Sequence, residues 1–346
     1  MSKYLSLRSH KPPFSFLIHK KTLLVTLTLL VVLVLAALLC VGIGSLFIPP
    51  WEVVKTLFGA GEEAHRLVVM DLRLPRITMA ILVGASLAVA GAILQSVVRN
   101  PLASPDMLGI THGATAAAVA FITVSGGKYS VNWLPLVALF GAFFTAAINY
   151  LTAWRKGVSP LRLVLIGVSL SVAMSALTSF IMVAGPTYLA SQALSWMSGT
   201  VYGSAWGHVL ALLPWVIVLI PLSFAFSSKL NVQELGDSVA TGLGDPVEKH
   251  RLLLIAISVC LAGSAVGMAG GITFIGLMAP HIARKLVGPT LDGLLPVSAL
   301  IGSLLLLLAD LIGRTLFLPN DVPAGVFTAA IGAPFFIYLL YRSRKG

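Results

Sequence analysis

Charge is scarce in this chain and, over one long stretch, missing. The 66 residues from Leu163 to Ser228 contain no Asp, Glu, Lys or Arg. Seven further charge-free stretches of 17 or more residues lie at 22–51, 77–98, 107–127, 129–154, 252–283, 293–309 and 322–341. A soluble domain needs a charged surface, whereas a charge at the midplane of a spanning helix costs roughly 2.5–3.5 kcal/mol. The absence therefore excludes a water-soluble fold. Carboxylates are the scarcer sign, 12 against 23 lysines and arginines, and only Asp310 falls within a span. Ion-coupled carriers ordinarily keep ionisable groups deep in the bundle, so the chain is expected to draw on another energy source. It has no G-x-x-x-x-G-K-[ST] phosphate loop, since Gly126-Gly127-Lys128-Tyr129 lacks both the upstream Gly and the Ser/Thr, so any ATP hydrolysis belongs to a partner. The two cysteines, Cys40 and Cys260, lie in spans and suggest neither a disulfide framework nor a metal pair. The seven histidines (10, 19, 65, 112, 208, 250 and 281) show no metal-ligand spacing. A metal channel or an intramembrane metalloenzyme is poorly supported.

What is present is apolar: 58% of the 346 residues are hydrophobic and 10% charged. Long apolar runs read as helices rather than as barrel strands, and one crossing takes about 20 residues. The 66-residue stretch holds two crossings divided at Gly185-Pro186. The stretch 252–283 holds two shortened ones meeting at Gly263–Gly271. Ten spans result, at about 23–47, 74–98, 108–125, 133–154, 163–184, 207–227, 252–270, 271–288, 294–317 and 323–341. Residues 190–206 are expected to form an outer re-entrant or surface helix. With the N-terminus inside, 17 of the 23 basic residues fall on the cytoplasmic side, which places both termini there. Residues 1–21 become a basic cytoplasmic tail on anionic lipid, and 22–346 the ten-span domain. The first apolar run exceeds the hydrophobic core of a signal peptide and reads as a retained span. The small residues Gly84, Ala85, Ser86, Ala88, Ala90, Gly91 and Ala92 suit close helix packing, the alternative being a pore lining.

Three segments depart from inert packing. In Arg99-Asn100-Pro101-Leu102-Ala103-Ser104-Pro105 two prolines stop a helix and force a rigid turn. In the polar segment 228–251, Glu234 to Asp245 sets small residues between glycines. That pattern suits either a plain solvated loop or a short surface helix seated in a groove on a soluble partner. Arg73, Arg76 and Arg314 fall at the outer mouths of the second and ninth spans. They either snorkel to the interface or dock carboxylates of an external protein. Asp310 stands four residues before Arg314, a spacing that favours a local ion pair.

Together these segments resemble the FecCD permease family. Leu72-Arg73-Leu74-Pro75-Arg76, Gly84-Ala85-Ser86-Leu87-Ala88-Val89-Ala90-Gly91 with Gln95, and Asn100-Pro101-Leu102-Ala103-x-Pro105-x-x-Leu108-Gly109 match its second-span block. Phe274-Ile275-Gly276-Leu277, Pro280-His281-x-x-Arg284, Leu294-Leu295-Pro296, Ala309-Asp310-x-x-x-Arg314 and Gly332-Ala333-Pro334-Phe335-Phe336 continue the likeness to residue 341. The resemblance implies an all-α polytopic membrane protein with ten transmembrane helices, a type II ABC importer permease, in the cytoplasmic membrane. Its implied partners are a second permease, identical or paralogous, two cytoplasmic ATPase subunits that bind ATP and Mg, and an extracytoplasmic substrate-binding protein. Ferric-siderophore complexes are the implied cargo, with cobalamin or haem as alternatives; an ion-coupled secondary carrier is the reading from another class. No cofactor, catalytic residue, metal ligand or nucleic acid is implied for this chain. Arg73, Arg76 and Arg314 match positions that meet the binding protein; Asn100, Leu102 and Ser159 fall at the cytoplasmic gate. Gly236, Asp237, Ala240, Leu243 and Gly244 match the coupling loop, with Ser238-Val239 where Glu-Ala often stands. The pathway is expected to be chemically neutral, because a siderophore already wraps its ferric ion.

Overall fold

The structure, a computed structural model, describes residues 4–10, 13–126, 129–130, 133–155 and 159–343. The expected inner residues Lys3, Lys11, Lys156, Arg344 and Lys345, and the outer Lys128, lie outside the described residues. Two strands, β1 (Tyr4–His10) and β2 (Pro13–His19), pair antiparallel with Leu7 opposite Phe16. Residues 4–10 and 13–19 of the expected basic tail thus pair as strands. Their apolar/polar alternation, Leu5-Ser6-Leu7 against Phe14-Ser15-Phe16, has the period of two that strands require.

Among the described residues the other elements are helices. The helices are α1 (Lys20–Gly42), α2 (Pro50–Leu57) and α3 (Glu63–Arg66), then a π-turn at Leu67–Arg73 leading into α4 (Leu74–Val98). A 3₁₀ turn at Pro105–Leu108 precedes α5 (Ile110–Ser125), α6 (Leu134–Ala153), α7 (Pro160–Ala184) and α8 (Thr187–Met197). Next come α9 (Trp206–Ala225), α10 (Ser227–Glu234), α11 (Asp237–Gly242) and α12 (Val247–Ala269). The chain closes with α13 (Ile275–Val287), α14 (Leu291–Leu316) and α15 (Ala324–Ser343).

Among the described residues, eight helices are long and apolar enough to cross a membrane. The other two expected spans are helices of 16 and 13 residues, α5 and α13. At 1.5 Å per residue α13 reaches about 20 Å, less than a hydrocarbon core of about 30 Å. The expected break in Gly263–Gly271 falls at its last two residues, since α12 runs unbroken to Ala269. Gly263 and Gly267 instead let α12 meet α6, where added Cβ atoms would lie 2.9 Å from Ala142 Cβ and 2.7 Å from the Pro135 carbonyl. The chain turns at Gly270 (φ 72°) and Phe274 (φ 66°).

Helix α4 is the axis of the bundle. Of its 25 residues 21 are buried, against 4 of 25 in α7. Its small residues are the packing face. A Cβ at Gly84 would stand 2.4 Å from the Gly302 carbonyl on α14, and one at Gly91 would stand 1.8 Å from the Gly276 carbonyl on α13. Lipid is as apolar as any partner helix, so such backbone approach supplies the packing that holds spans together. Helices α7 and α15 expose Val168, Val172, Phe180, Ile331 and Ile337 along their lengths.

Candidate functional site

Helix α4 carries a charged cluster at each end, separated by 23 residues, about 35 Å of helix. At the C-terminal end, α4 stops at Arg99, a left-handed residue (φ 54°). The turn that follows is closed by its own hydrogen bonds. Asn100 N–H donates to the Gln95 carbonyl (3.0 Å) and Leu102 N–H to Asn100 Oδ1 (2.9 Å). Leu102 packs against the cluster formed by Leu277 and Met278 of α13 and Leu339 of α15. Asn100 and Leu102 thus share one turn, whereas Ser159 lies on another element, at the N-cap of α7.

Beside this end stands α11, a single short helix between two glycines of positive φ, Gly236 (113°) and Gly244 (82°). Nothing lies within 4 Å of a Cβ at either, so backbone conformation and not space demands glycine there. Ala240 is the inward residue and fully buried, while Leu235, Val239 and Leu243, four apart, are 65%, 46% and 68% exposed. Leu235 and Leu243 flank the helix and Val239 lies within it, so three apolar side chains stand open to solvent around it. The first residue of the helix, Asp237, is held from two sides. Arg99 Nη2 and Arg251 Nη2 both donate to its Oδ1, the latter at 2.8 Å. Arg251, 1% exposed, also donates to Glu248 at 3.1 Å. Burial raises the Asp237 carboxyl, but the bonds from Arg251 and Arg99 outweigh it and hold the group below the usual carboxylate range. Nearby, Gln233 and His250 engage Asp245 at 2.9 and 2.6 Å, and Asn231 donates to Asp292 at 3.1 Å, binding α10 to α14.

At the other end Arg76 is gripped by two carboxylates. Its Nε and Nη2 reach Asp310 Oδ1 at 2.9 and 2.8 Å, and its Nη1 and Nη2 reach Asp321 at 2.6 and 2.9 Å. The local pair expected between Asp310 and Arg314 is the weaker contact, at 3.8 Å. Arg76, 234 residues away in sequence, takes Asp310 because its planar fork can bind both oxygens at once. Arg73 donates to the Val41 and Gly42 carbonyls (2.7 and 3.1 Å), and Arg314 donates to the Cys40 carbonyl. Those carbonyls end α1, so the two arginines satisfy its orphan acceptors and complement its dipole. All three arginines are less than a tenth exposed.

Between the ends lies a cavity of about 370 Å³, lined by Ser104, Asp106, His112, Ser171, Thr273 and Phe274 among others. It forms where the Pro105–Leu108 turn faces the Gly270–Phe274 break. Irregular backbone at membrane depth is tolerated where it lines such a space. Asp106 and His112 give this wall titratable groups, where a neutral pathway is expected from sequence. Sequence reading assigns no role to Gln233, Arg251 or Asp321, and names Arg99 only as the first residue of the turn motif. Gln233 and Arg251 lie in the polar segment 228–251, and Asp321 carries no local signal.

A model of the FecCD transport family matches residues 29–342. A siderophore transport system permease protein of Bacillus subtilis (strain 168), YfhA, is 49% identical over 332 residues, covering 94% of this chain and 97% of the relative. The achromobactin transport system permease protein CbrC of Dickeya dadantii (strain 3937) is 45% identical, covering 92% and 91%. A solved structure described as a metal-chelate type ABC transporter in an inward-facing conformation superposes with a TM-score of 0.83. It is 31% identical, with 92% of this chain and 99% of that one covered.

Proposed function

The chain belongs to the FecCD transport family, and from that premise we propose that it is the permease subunit of an ATP-driven importer of ferric-siderophore complexes. It is a multi-pass membrane protein; in this reading both termini and α11 face the cytoplasm. The observation that carries the proposal is α11 with its flanks, where Leu235, Val239 and Leu243 are exposed while Asp237 is fastened to α4 and α12. An ATPase subunit that seats these side chains in a groove gains a grip on the two most buried spans. Gly236, Asp237, Ala240, Leu243 and Gly244 are its coupling residues.

Two ATPases that close on ATP would shift α11 on each of two permeases and switch access between the sides of the membrane. ATP and Mg sit on those subunits. The second permease, identical or paralogous, would cover the exposed faces of α7 and α15, and the cavity beside them becomes part of the cargo path. Asn100 and Leu102, with Ser159, form the cytoplasmic gate. On the outer side, carboxylates of a substrate-binding protein would compete with Asp310 and Asp321 for Arg76 and engage Arg73 and Arg314. Charge-reversed Arg73→Glu with Arg314→Glu should abolish uptake, and reversed charges on the binding protein should restore it; unchanged uptake removes that assignment.

The decisive experiment reconstitutes the permeases in liposomes with and without their ATPases. Iron supplied as a siderophore chelate should accumulate only with ATP and the ATPases present. Accumulation by the permease alone on an ionic gradient would overturn the proposal, and transport of cobalamin or haem in place of the iron chelate would reassign the cargo.

A further inference from the structure

Among the described residues, Arg99 and Phe274 are the two non-glycine positions with positive φ. The left-handed residue that ends a helix is ordinarily glycine, because a Cβ there crowds the neighbouring carbonyl. Arginine at this point keeps a strained backbone that glycine would relax, which directs attention to its side chain. That side chain does not support the turn. Asn100 N–H and Leu102 N–H already have partners within the turn, at Gln95 and Asn100. It reaches away instead. Arg99 Nε donates to the Gln233 carbonyl at 2.9 Å, in the last turn of α10, and Nη2 donates to Asp237, the first residue of α11. One guanidinium therefore holds both sides of the Leu235-Gly236 hinge, where Gly236 has φ 113°.

The two arms on Asp237 differ. Arg251 is 1% exposed and anchored a second time on Glu248, so its arm to α12 is fixed. The Arg99 side chain is 31% exposed, and its backbone is one residue from the Asn100–Leu102 turn. A displacement of α11 would swing on Arg251 and pull on Arg99. We infer that Arg99 is the positioning residue that passes movement of the Asp237–Gly242 helix directly to the Asn100–Leu102 turn, with Asp237 as its anchor. The inference rests on the reading of this chain as an ATP-driven permease and adds to it a named mechanical link.

The test uses the complete complex in liposomes: both permeases, both ATPases and the binding protein. Cys40→Ala and Cys260→Ala remove the native thiols, and Leu102→Cys supplies a reporter labelled by a membrane-impermeant thiol reagent with and without ATP. With Arg99 in place, ATP should change the labelling rate within the roughly 5–150-fold range of allosteric coupling. Arg99→Gly should bring that ratio close to one while ATP hydrolysis continues and the melting temperature holds or rises. Arg99→Lys, which keeps the charge toward Asp237 but has no fork to share with Gln233, should restore part of the ratio. An undiminished ATP response in Arg99→Gly overturns the inference. A lowered melting temperature with hydrolysis and labelling response reduced in proportion makes Arg99 a structural cap and overturns it too. A reporter indifferent to ATP even with Arg99 present overturns the ATP-driven reading itself, and the link with it.

Discussion

The two ends of α4 solve the same problem, a cation at the end of a buried span, in opposite ways. At Arg76 the guanidinium is enclosed by Asp310 and Asp321, and Asp310 is 1% exposed. At Arg99 the partner carboxylate belongs to a six-residue helix and is 47% exposed. Dielectric is the difference that matters. A pair screened by water holds weakly and exchanges easily, whereas removing one partner from a buried pair strands a charge. One end of α4 is built to stay, and the other to be moved.

The comparison breaks most visibly at the fixed end. Asp310→Asn should cost about 3–5 kcal/mol, the range for disrupting a buried ion pair. Heating the detergent-solubilised protein and following the monodisperse fraction would show the loss as a clear fall in melting temperature. Asp237→Asn, at the mobile end, should cost under about 2 kcal/mol and yet reduce ATP-dependent uptake by about tenfold or more through lost coupling. If Asp237→Asn destabilises as much as Asp310→Asn, the two ends are equivalent and the distinction fails. Next in size is Leu243→Glu. The residue is 68% exposed, so the permease should fold unchanged. Copurification of the ATPase should nonetheless fall by roughly tenfold, as burial of one leucine is worth about 1.5–3 kcal/mol. Retained copurification would remove these exposed side chains from the ATPase contact.

The ease with which each feature could be read in sequence follows the same division. The spans were legible because lipid imposes one rule, no charge, on every residue of a crossing. The runs around 77–98 and 293–309 accordingly sit inside α4 and α14. Short elements escape that rule. Helix α13 carries Arg284 and Lys285 in its last turn and is only 13 residues long, so its count as a span depended on the glycine-rich break that ends α12. Glycine is ambiguous by nature: Gly263 lets two helices touch, whereas Gly270 turns the chain. Partner choice was the least legible. The i,i+4 spacing of Asp310 and Arg314 is visible in sequence, but the fork of Arg76 is brought to Asp310 by the packing of α4 on α14, which includes the Gly84–Gly302 contact. The hairpin of β1 and β2 was concealed by reading residues 1–21 for charge when their alternation carried the signal.

The smallest expected effect concerns pH. The Asp237 carboxyl is depressed in the folded protein, burial being outweighed by Arg251 and Arg99. A depressed carboxylate binds fewer protons folded than unfolded. The stability it contributes is therefore fully present above the unfolded value, near 3.9, and is lost as pH falls through the lower folded value. Between pH 5 and pH 8 the joint should hold its charge, so the ATP-dependent labelling ratio at Leu102→Cys should stay flat across that window. A ratio that collapses near pH 6 would place the controlling proton on a group other than Asp237.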